Sequence, residues 1–343
     1  MQVDAGRNEG LDQARAIACI MVVAVHASSK FMDAPGVEGY VAALVMSASK
    51  VCVPIFVMLS GYLLLGTIRT SALDFYRKAA RKMALPVLIW SVIYVCLRAL
   101  DTQLPSLLTS KDTIRGIIAS SLNGKPFYHL WYMFMLVGLY AALPILSRGW
   151  ATLDRSEKKT LTALALAAAV ISGLYGIIFQ RGPWWGYNFV PWLGFLFVGA
   201  LLREERIGGR HLPNLYVLGV MLAAIGTVLL PEPFGHGYSN KYFSPGIMLA
   251  SVAAFAWLSS RPSRPLHPSA SFVATHSFQA YLAHTLVLEL AYSTMVHLGA
   301  TNGLVVMPVL ILVSLTGALA ISAGLSRLSL PPAIRTGRRS SYR

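Results

Sequence analysis

Apolar runs of roughly membrane-spanning length recur along the whole chain, separated by short polar or basic segments. They fall at about 13–30, 41–65, 83–100, 127–147, 160–179, 189–202, 213–230, 243–259, 274–297 and 303–326. A helix needs about twenty such residues to cross the hydrocarbon core of a bilayer. The pattern therefore predicts an all-α, polytopic integral membrane protein with about ten transmembrane helices. The sixth run is short. Residues 1–343 read as a single transmembrane domain with no separate soluble domain. The first run lacks a small-residue cleavage site and is followed by further spans, so it reads as a retained helix.

Composition agrees. Of 343 residues, 55% are hydrophobic and 13% are charged, about half the charged share of a soluble domain. The formal net charge of +15 invites a nucleic-acid partner, but its distribution argues against one. Arg77, Lys78, Arg81 and Lys82 share one side with Arg148, Arg155, Lys158, Lys159, Arg203, Arg206, Arg210, Arg261, Arg264 and the tail RTGRRSSYR. The opposite loops are poorer in cations, holding Lys111, Arg115, Lys125, Arg181 and Lys241. The positive-inside rule puts both termini in the cytoplasm. The charge then forms a skirt facing anionic membrane lipid. No nucleotide-binding fingerprint, zinc-finger spacing or internal repeat stands out. Cys19, Cys52 and Cys96 lie inside apolar runs, which suits small buried hydrophobes better than a disulfide framework or a thiolate metal site.

Against this background the ionisable residues inside the spans stand out, because charge in hydrocarbon is costly unless paired, hydrated or facing a cavity. Arg15 and His26 share the first span, eleven residues apart, or about 16 Å along a helix. Asp12 is three residues before Arg15 and can pair with it. Arg15 reads either as half of an interfacial pair or as a group reaching toward an anionic ligand. His26 reads either as a helix-bridging histidine or as an acid/base group, since imidazole titrates near neutrality. Lys50, beside Ser47 and Ser49, either snorkels to the outer surface or lines a cavity. His129 and Trp131 open the fourth span. His276, Tyr281, His284 and Glu289 lie in the ninth, with Tyr281 and His284 on one face. Aromatics gather at span ends, as Phe127, Tyr128, Trp131 and Tyr132, and as Trp184, Trp185, Tyr187 and Trp192. They suit interfacial anchoring or a sugar-stacking rim. Pro54, Ser60 and Gly61 mark a second span that is locally loosened or closely packed.

The order of these features resembles the membrane-bound acyltransferase-3 family, bacterial O-acyltransferases that modify surface polysaccharides and their precursors. The resemblance covers essentially the whole chain. It rests on Arg15 and His26 with Asp12 upstream, on VPIFVMLSGYLL, on YRKAARKMALPVLIW with Pro86 and Trp90, on YHLWYMFMLVGLYAALPIL and on HSFQAYLAHTLVLE. It implies a bacterial cytoplasmic (inner) membrane location. It also implies transfer of an acyl group, usually acetyl, from a cytoplasmic thioester such as acetyl-CoA to a sugar hydroxyl. His26 would be catalytic, with Arg15, Arg77, Lys78, Arg81 and Lys82 binding the donor and Asp12, Ser60 and Gly61 in support. Lys50, His129, Trp131, Tyr281 and His284 are candidate acceptor-side or cavity residues. Where relatives often use arginines in the basic loop, this chain mixes in Lys78 and Lys82, which attract phosphate without a planar fork. The chain lacks the extracytoplasmic domain of some relatives. No permanently bound cofactor and no metal is expected; acyl-CoA is a co-substrate.

The residue types suit that chemistry. Cations attract CoA phosphates, and a histidine can take a hydroxyl proton as oxygen attacks the thioester. Direct transfer and a transient acyl-histidine both fit. The alternative function class is a transporter of an anionic metabolite or lipid-linked sugar. An inverted repeat would favour it, and none is visible. A non-catalytic frame would be signalled by loss of Arg15 or His26, and both are present. Cysteine-accessibility labelling tests the orientation. Residues 66–82 and the tail after 327 should react from the cytoplasm and 101–126 from outside; external labelling of the basic loop would reverse the topology.

Overall fold

A computed structural model describes residues 9–101, 127–180, 188–261 and 266–328. The loop expected at about 101–126 falls outside the described residues from 102 onward, as do Arg181, Trp184, Trp185, Tyr187, Arg264 and the basic tail. Among the described residues every expected apolar run is helical and no strand occurs. In chain order the α-helices are α1 (Glu9–Ser28), α2 (Val37–Ser49), α3 (Cys52–Leu64), α4 (Ala72–Ala79), α5 (Leu85–Asp101) and α6 (Trp131–Thr152). They continue with α7 (Arg155–Ile178), α8 (Leu193–Glu205), α9 (Leu212–Leu229), α10 (Pro245–Ser259), α11 (Pro268–His297) and α12 (Gly303–Leu328).

Seven helical segments are long and apolar enough to cross a membrane: Glu9–Phe31, Val37–Leu64, Ala72–Leu97, Trp131–Thr152, Arg155–Ile178, Leu212–Leu229 and Gly303–Arg327. The other expected spans do not meet that measure. Helix α8 has 13 residues and Pro245–Ser259 has 15. Helix α11 has 30 residues, but His276, His284 and Glu289 dilute its apolar character.

Helix α1 is the hub. It packs against α2, α3, α10, α11 and α12. Its small residues Ala14, Ala16, Ala18 and Ala27 are buried and admit neighbours closely. The second span is two helices, not one. Helix α2 ends at Ser49, Lys50 caps it, and α3 starts at Cys52. Pro54 explains the break. It has no N–H to offer the Lys50 carbonyl four residues back, and its ring would clash there. The third span also changes character, because Ala80–Ala84 is a π-helical turn between α4 and α5.

One crossing fixes α3 against α8. A Cβ on Gly61 would overlap the Leu196 carbonyl, and a Cβ on Gly199 would overlap the Met58 carbonyl. Each glycine thus lets the other helix's backbone touch. Of the two readings of Gly61, loosening or close packing, the structure shows close packing, and Ser60 beside it faces a cavity.

At the basic end the expected skirt is partly neutralised. Arg155 and Lys159 reach Glu205 at 2.6 and 3.1 Å, and Lys158 reaches Glu204 at 2.9 Å. Glu204 also accepts from the Trp150 indole at 2.9 Å. This network ties α6, α7 and α8 together.

Gly61→Val should lower stability by about 1–3 kcal/mol, the usual cost of overpacking. Gly149→Ala, where a Cβ meets open space, should be tolerated. Thermal melts in nanodiscs compare them; equal melting would remove the crossing as a stability determinant.

Candidate active site

Arg15 lies on the first half of α1 and is ion-paired with Asp12. Its guanidinium lines a cavity of about 450 Å³ formed with residues of α3, the α4–π segment, α6 and α11. The wall is mostly apolar, including Phe56, Leu59, Phe75, Met133 and Phe278. Polar groups enter from Arg15, Ser60, Tyr140, Lys78 and Lys82. Lys78 and Lys82 are exposed, so they stand at the mouth. Lys78 on α4 and Lys82 in the π-helical turn both reach it. Arg77 and Arg81 do not line the cavity; Arg77 instead lies 4.0 Å from Asp74. Of the four expected donor-side cations, the fold therefore brings two to Arg15.

His26 lies at the far end of α1, half-buried and surrounded by rings. Its imidazole centroid is 5.2 Å from His284, 6.4 Å from His129 and 5.2 Å from Tyr128. His129 and His284 are 5.3 Å apart. His129 comes from the start of the fourth span and His284 from α11, so separate segments converge on α1. His129 is not surface: it is 1% exposed.

The hydrogen bonds fix proton positions. Tyr94 donates its hydroxyl proton to the Leu282 carbonyl at 2.7 Å. Thr285 therefore donates to Tyr94 at 2.6 Å. With that proton used, His129 must donate to Thr285, and Nδ1 is nearest at 3.1 Å. Tyr281 donates its hydroxyl to the His129 carbonyl. His284 points Nδ1 at the Tyr281 carbonyl, so that nitrogen carries hydrogen and leaves Nε2 without a hydrogen-bond partner. His26 itself makes ring contacts here and is the least constrained imidazole of the three.

A small cavity touches His26 and is lined by Val22, Val25, Cys52, Val53, His129, Trp131, Tyr132, Tyr242 and Tyr281. Tyr132 and Tyr281 also line the Arg15 cavity. The two rings, 5.5 Å apart, thus form a partition shared by both spaces. Among the described residues no group of three or more His, Cys, Asp or Glu side chains is arranged to hold a metal ion.

Several residues were not singled out by sequence. Lys30 grips both oxygens of Glu289 at 2.9 and 2.8 Å, and Tyr128 donates to Glu289 at 2.8 Å. Glu289 was visible as a charge in a span, but its partner sits about 260 positions away at the end of the first span. Opposite charges at matching depth were the available signal. Tyr94 and Thr285 carried no signal beyond an apolar setting, and Tyr132 stood out only as one of the span-end aromatics. His276 is apart from the cluster, 3.0 Å from Ser322, and reads as helix-bridging. Cys19 and Cys52 are buried, Cys96 is exposed, and all three are free.

Apolar helices of membrane-spanning length, closed around a polar centre, define a multi-pass membrane protein. A family model described as an acyltransferase domain matches residues 8–323. The chain belongs to the acyltransferase-3 family, and its general activity is acyl transfer. Among curated proteins and solved structures, none matches.

The Lys30–Glu289 pair is part-exposed, with side chains 24% and 35% accessible. A cycle of Lys30→Met, Glu289→Gln and the double variant should give a coupling of up to about 1 kcal/mol. Denaturation in mild detergent measures it; a coupling near zero would leave the pair without a share in positioning Tyr128 beside His26.

Proposed function

We propose that this protein transfers an acyl group, acetyl from acetyl-CoA, to a sugar hydroxyl of a surface polysaccharide, such as an exopolysaccharide, or its lipid-linked precursor. The supporting observation is the meeting of two cavities: one holds Arg15, Lys78 and Lys82, the other His26, and they share Tyr132 and Tyr281. The His26 cavity holds about 10 Å³, room for one group the size of a water or hydroxyl, so an acceptor hydroxyl and a donor thioester can meet at the partition from opposite sides.

In this reading the protein sits in the bacterial inner membrane with both termini cytoplasmic. The CoA phosphates rest against Lys78 and Lys82, with Arg77 and Arg81 adding longer-range attraction. The pantetheine arm runs along the apolar wall past Ser60 and Arg15, and the thioester reaches the partition. The acceptor hydroxyl lies against His26. Imidazole takes the hydroxyl proton as the oxygen attacks the thioester carbonyl. The tetrahedral intermediate collapses, the C–S bond breaks, and the leaving CoA sulfur takes the proton from the imidazolium. The products are an O-acyl sugar and free CoA, with no permanently bound cofactor. His129 and His284 enclose the reacting imidazole, and Thr285 holds His129.

The test pairs acetyl-CoA calorimetry with product formation in nanodiscs. His26→Gln should bind acetyl-CoA normally and lose about a hundred- to ten-thousand-fold in rate. Lys78→Ala and Lys82→Ala should each weaken acetyl-CoA binding by roughly two- to fivefold, as exposed charge pairs do. Arg81→Ala should do less. Near-normal turnover in His26→Gln would sink the base assignment, and unchanged donor affinity in both lysine variants would move the donor elsewhere.

A further inference from the structure

When a hydroxyl oxygen attacks a thioester, the carbonyl oxygen gains negative charge. In a site closed to water that charge needs a hydrogen-bond donor already in place. The donor has to stand where the two cavities meet. Among the described residues, Tyr132 and Tyr281 line both. Tyr281 has given its proton to the His129 carbonyl. Tyr132 is 6% exposed, and its hydroxyl donates to no acceptor among the described residues. Its oxygen is not one of those sealed away by protein atoms, so it still opens into the space beside it. A buried donor left unpaired is costly, and here the missing acceptor can come from a ligand.

The other donors around the two cavities are used or misplaced. Ser60 gives its proton to the Phe56 carbonyl and Ser277 to the Ala274 carbonyl. Tyr140 lies eight residues further along α6, about 12 Å away at helical rise, and lines the Arg15 cavity alone. Arg15 is about 16 Å along α1 from His26. Cys52, Trp131 and Tyr242 line the small cavity alone. Lys50, expected on the acceptor side, lines neither; its ammonium lies 5.0 Å over the Tyr242 ring. The Tyr132 ring itself is held between Tyr281 at 5.5 Å and Phe56 at 6.3 Å, so its hydroxyl is aimed before any ligand arrives.

We infer that Tyr132 is a catalytic residue: its phenol donates a hydrogen bond to the carbonyl oxygen of the bound thioester and holds the oxyanion that forms on attack. This rests on the acyl-transfer reading of His26. The phenol keeps its proton throughout, as phenols do near neutrality. As the acceptor oxygen bonds to the carbonyl carbon, the carbonyl π pair moves onto oxygen and the hydrogen bond from Tyr132 strengthens. The pair returns when the C–S bond breaks. His26 handles the proton and Tyr132 the charge, so the two roles fall on separate side chains.

The test reads the hydrogen bond itself. Isotope-labelled acetyl-CoA is bound to the full chain in nanodiscs, and infrared difference spectroscopy follows its thioester carbonyl stretch. In wild type the stretch should move to lower frequency than in free acetyl-CoA, and His26→Gln should keep that shift. Tyr132→Phe should lose it, bind acetyl-CoA within about threefold of wild type, and turn over about a hundred- to thousandfold more slowly with isolated membranes as acceptor source. Should Tyr132→Phe fail to fold, Tyr132→Leu, also without a proton to donate, takes its place. An unshifted carbonyl in bound wild type overturns the inference and leaves the donor site standing. A shift that persists without the phenol, or near-normal turnover once the shift is lost, also overturns it. Failure of wild type to bind acetyl-CoA at all would instead remove the donor reading and the inference together.

Discussion

A helix carrying both Arg15 and His26 through a membrane cannot face lipid on those sides, and the arrangement of the other helices follows from that constraint. Hydrocarbon offers no hydrogen bonds, so each polar group must find protein or a hydrated cavity. Helix α1 meets the demand by being enclosed by α2, α3, α10, α11 and α12. Small residues on α1 let those neighbours close in. Arg15 is neutralised within its own helix by Asp12, which leaves the guanidinium free to line a cavity. His26 has no such local partner and depends on rings delivered by distant segments.

The polar centre is ordered by a one-way chain of hydrogen bonds. Tyr94 gives its proton to a backbone carbonyl, so Thr285 must give to Tyr94 and His129 to Thr285. Each buried hydroxyl has one proton to give, and its direction is fixed by the partner that cannot donate. His129 is thereby locked. The nearby His26 lacks such a lock. Two held imidazoles thus surround a freer one.

Much of this was legible in the sequence. The helical intervals followed from apolar run length, and two ionisable groups on one span marked α1 as a helix that the others must enclose. The break of the second span was half legible: Pro54 signalled it, but the partly buried position of Lys50 at the break depends on packing against Tyr242, which is far away in sequence. Gly61 was ambiguous between ligand and packing until Leu196 was seen across from it. The pairing of Lys30 with Glu289 and the convergence of His129 and His284 on His26 are long-range contacts that no local pattern encodes. The choice of Lys78 and Lys82 over Arg77 and Arg81 turned on helix phase, which a run of four cations conceals.

The π-helical turn at Ala80–Ala84 has a mechanical meaning of its own. An α-helix advances about 100° per residue, so one residue accommodated in a wider turn resets the angular phase of everything after it. Upstream of the turn, Lys78 stands at the exposed mouth of the Arg15 cavity. Downstream, Trp90 and Tyr94 must point into α11, where they bond Gln279 and the Leu282 carbonyl. Without the extra residue, one aim would dictate the other. With it, the span behaves like two dials on one shaft: the solvent-facing end can be re-aimed while the aromatic end keeps its grip on the bundle.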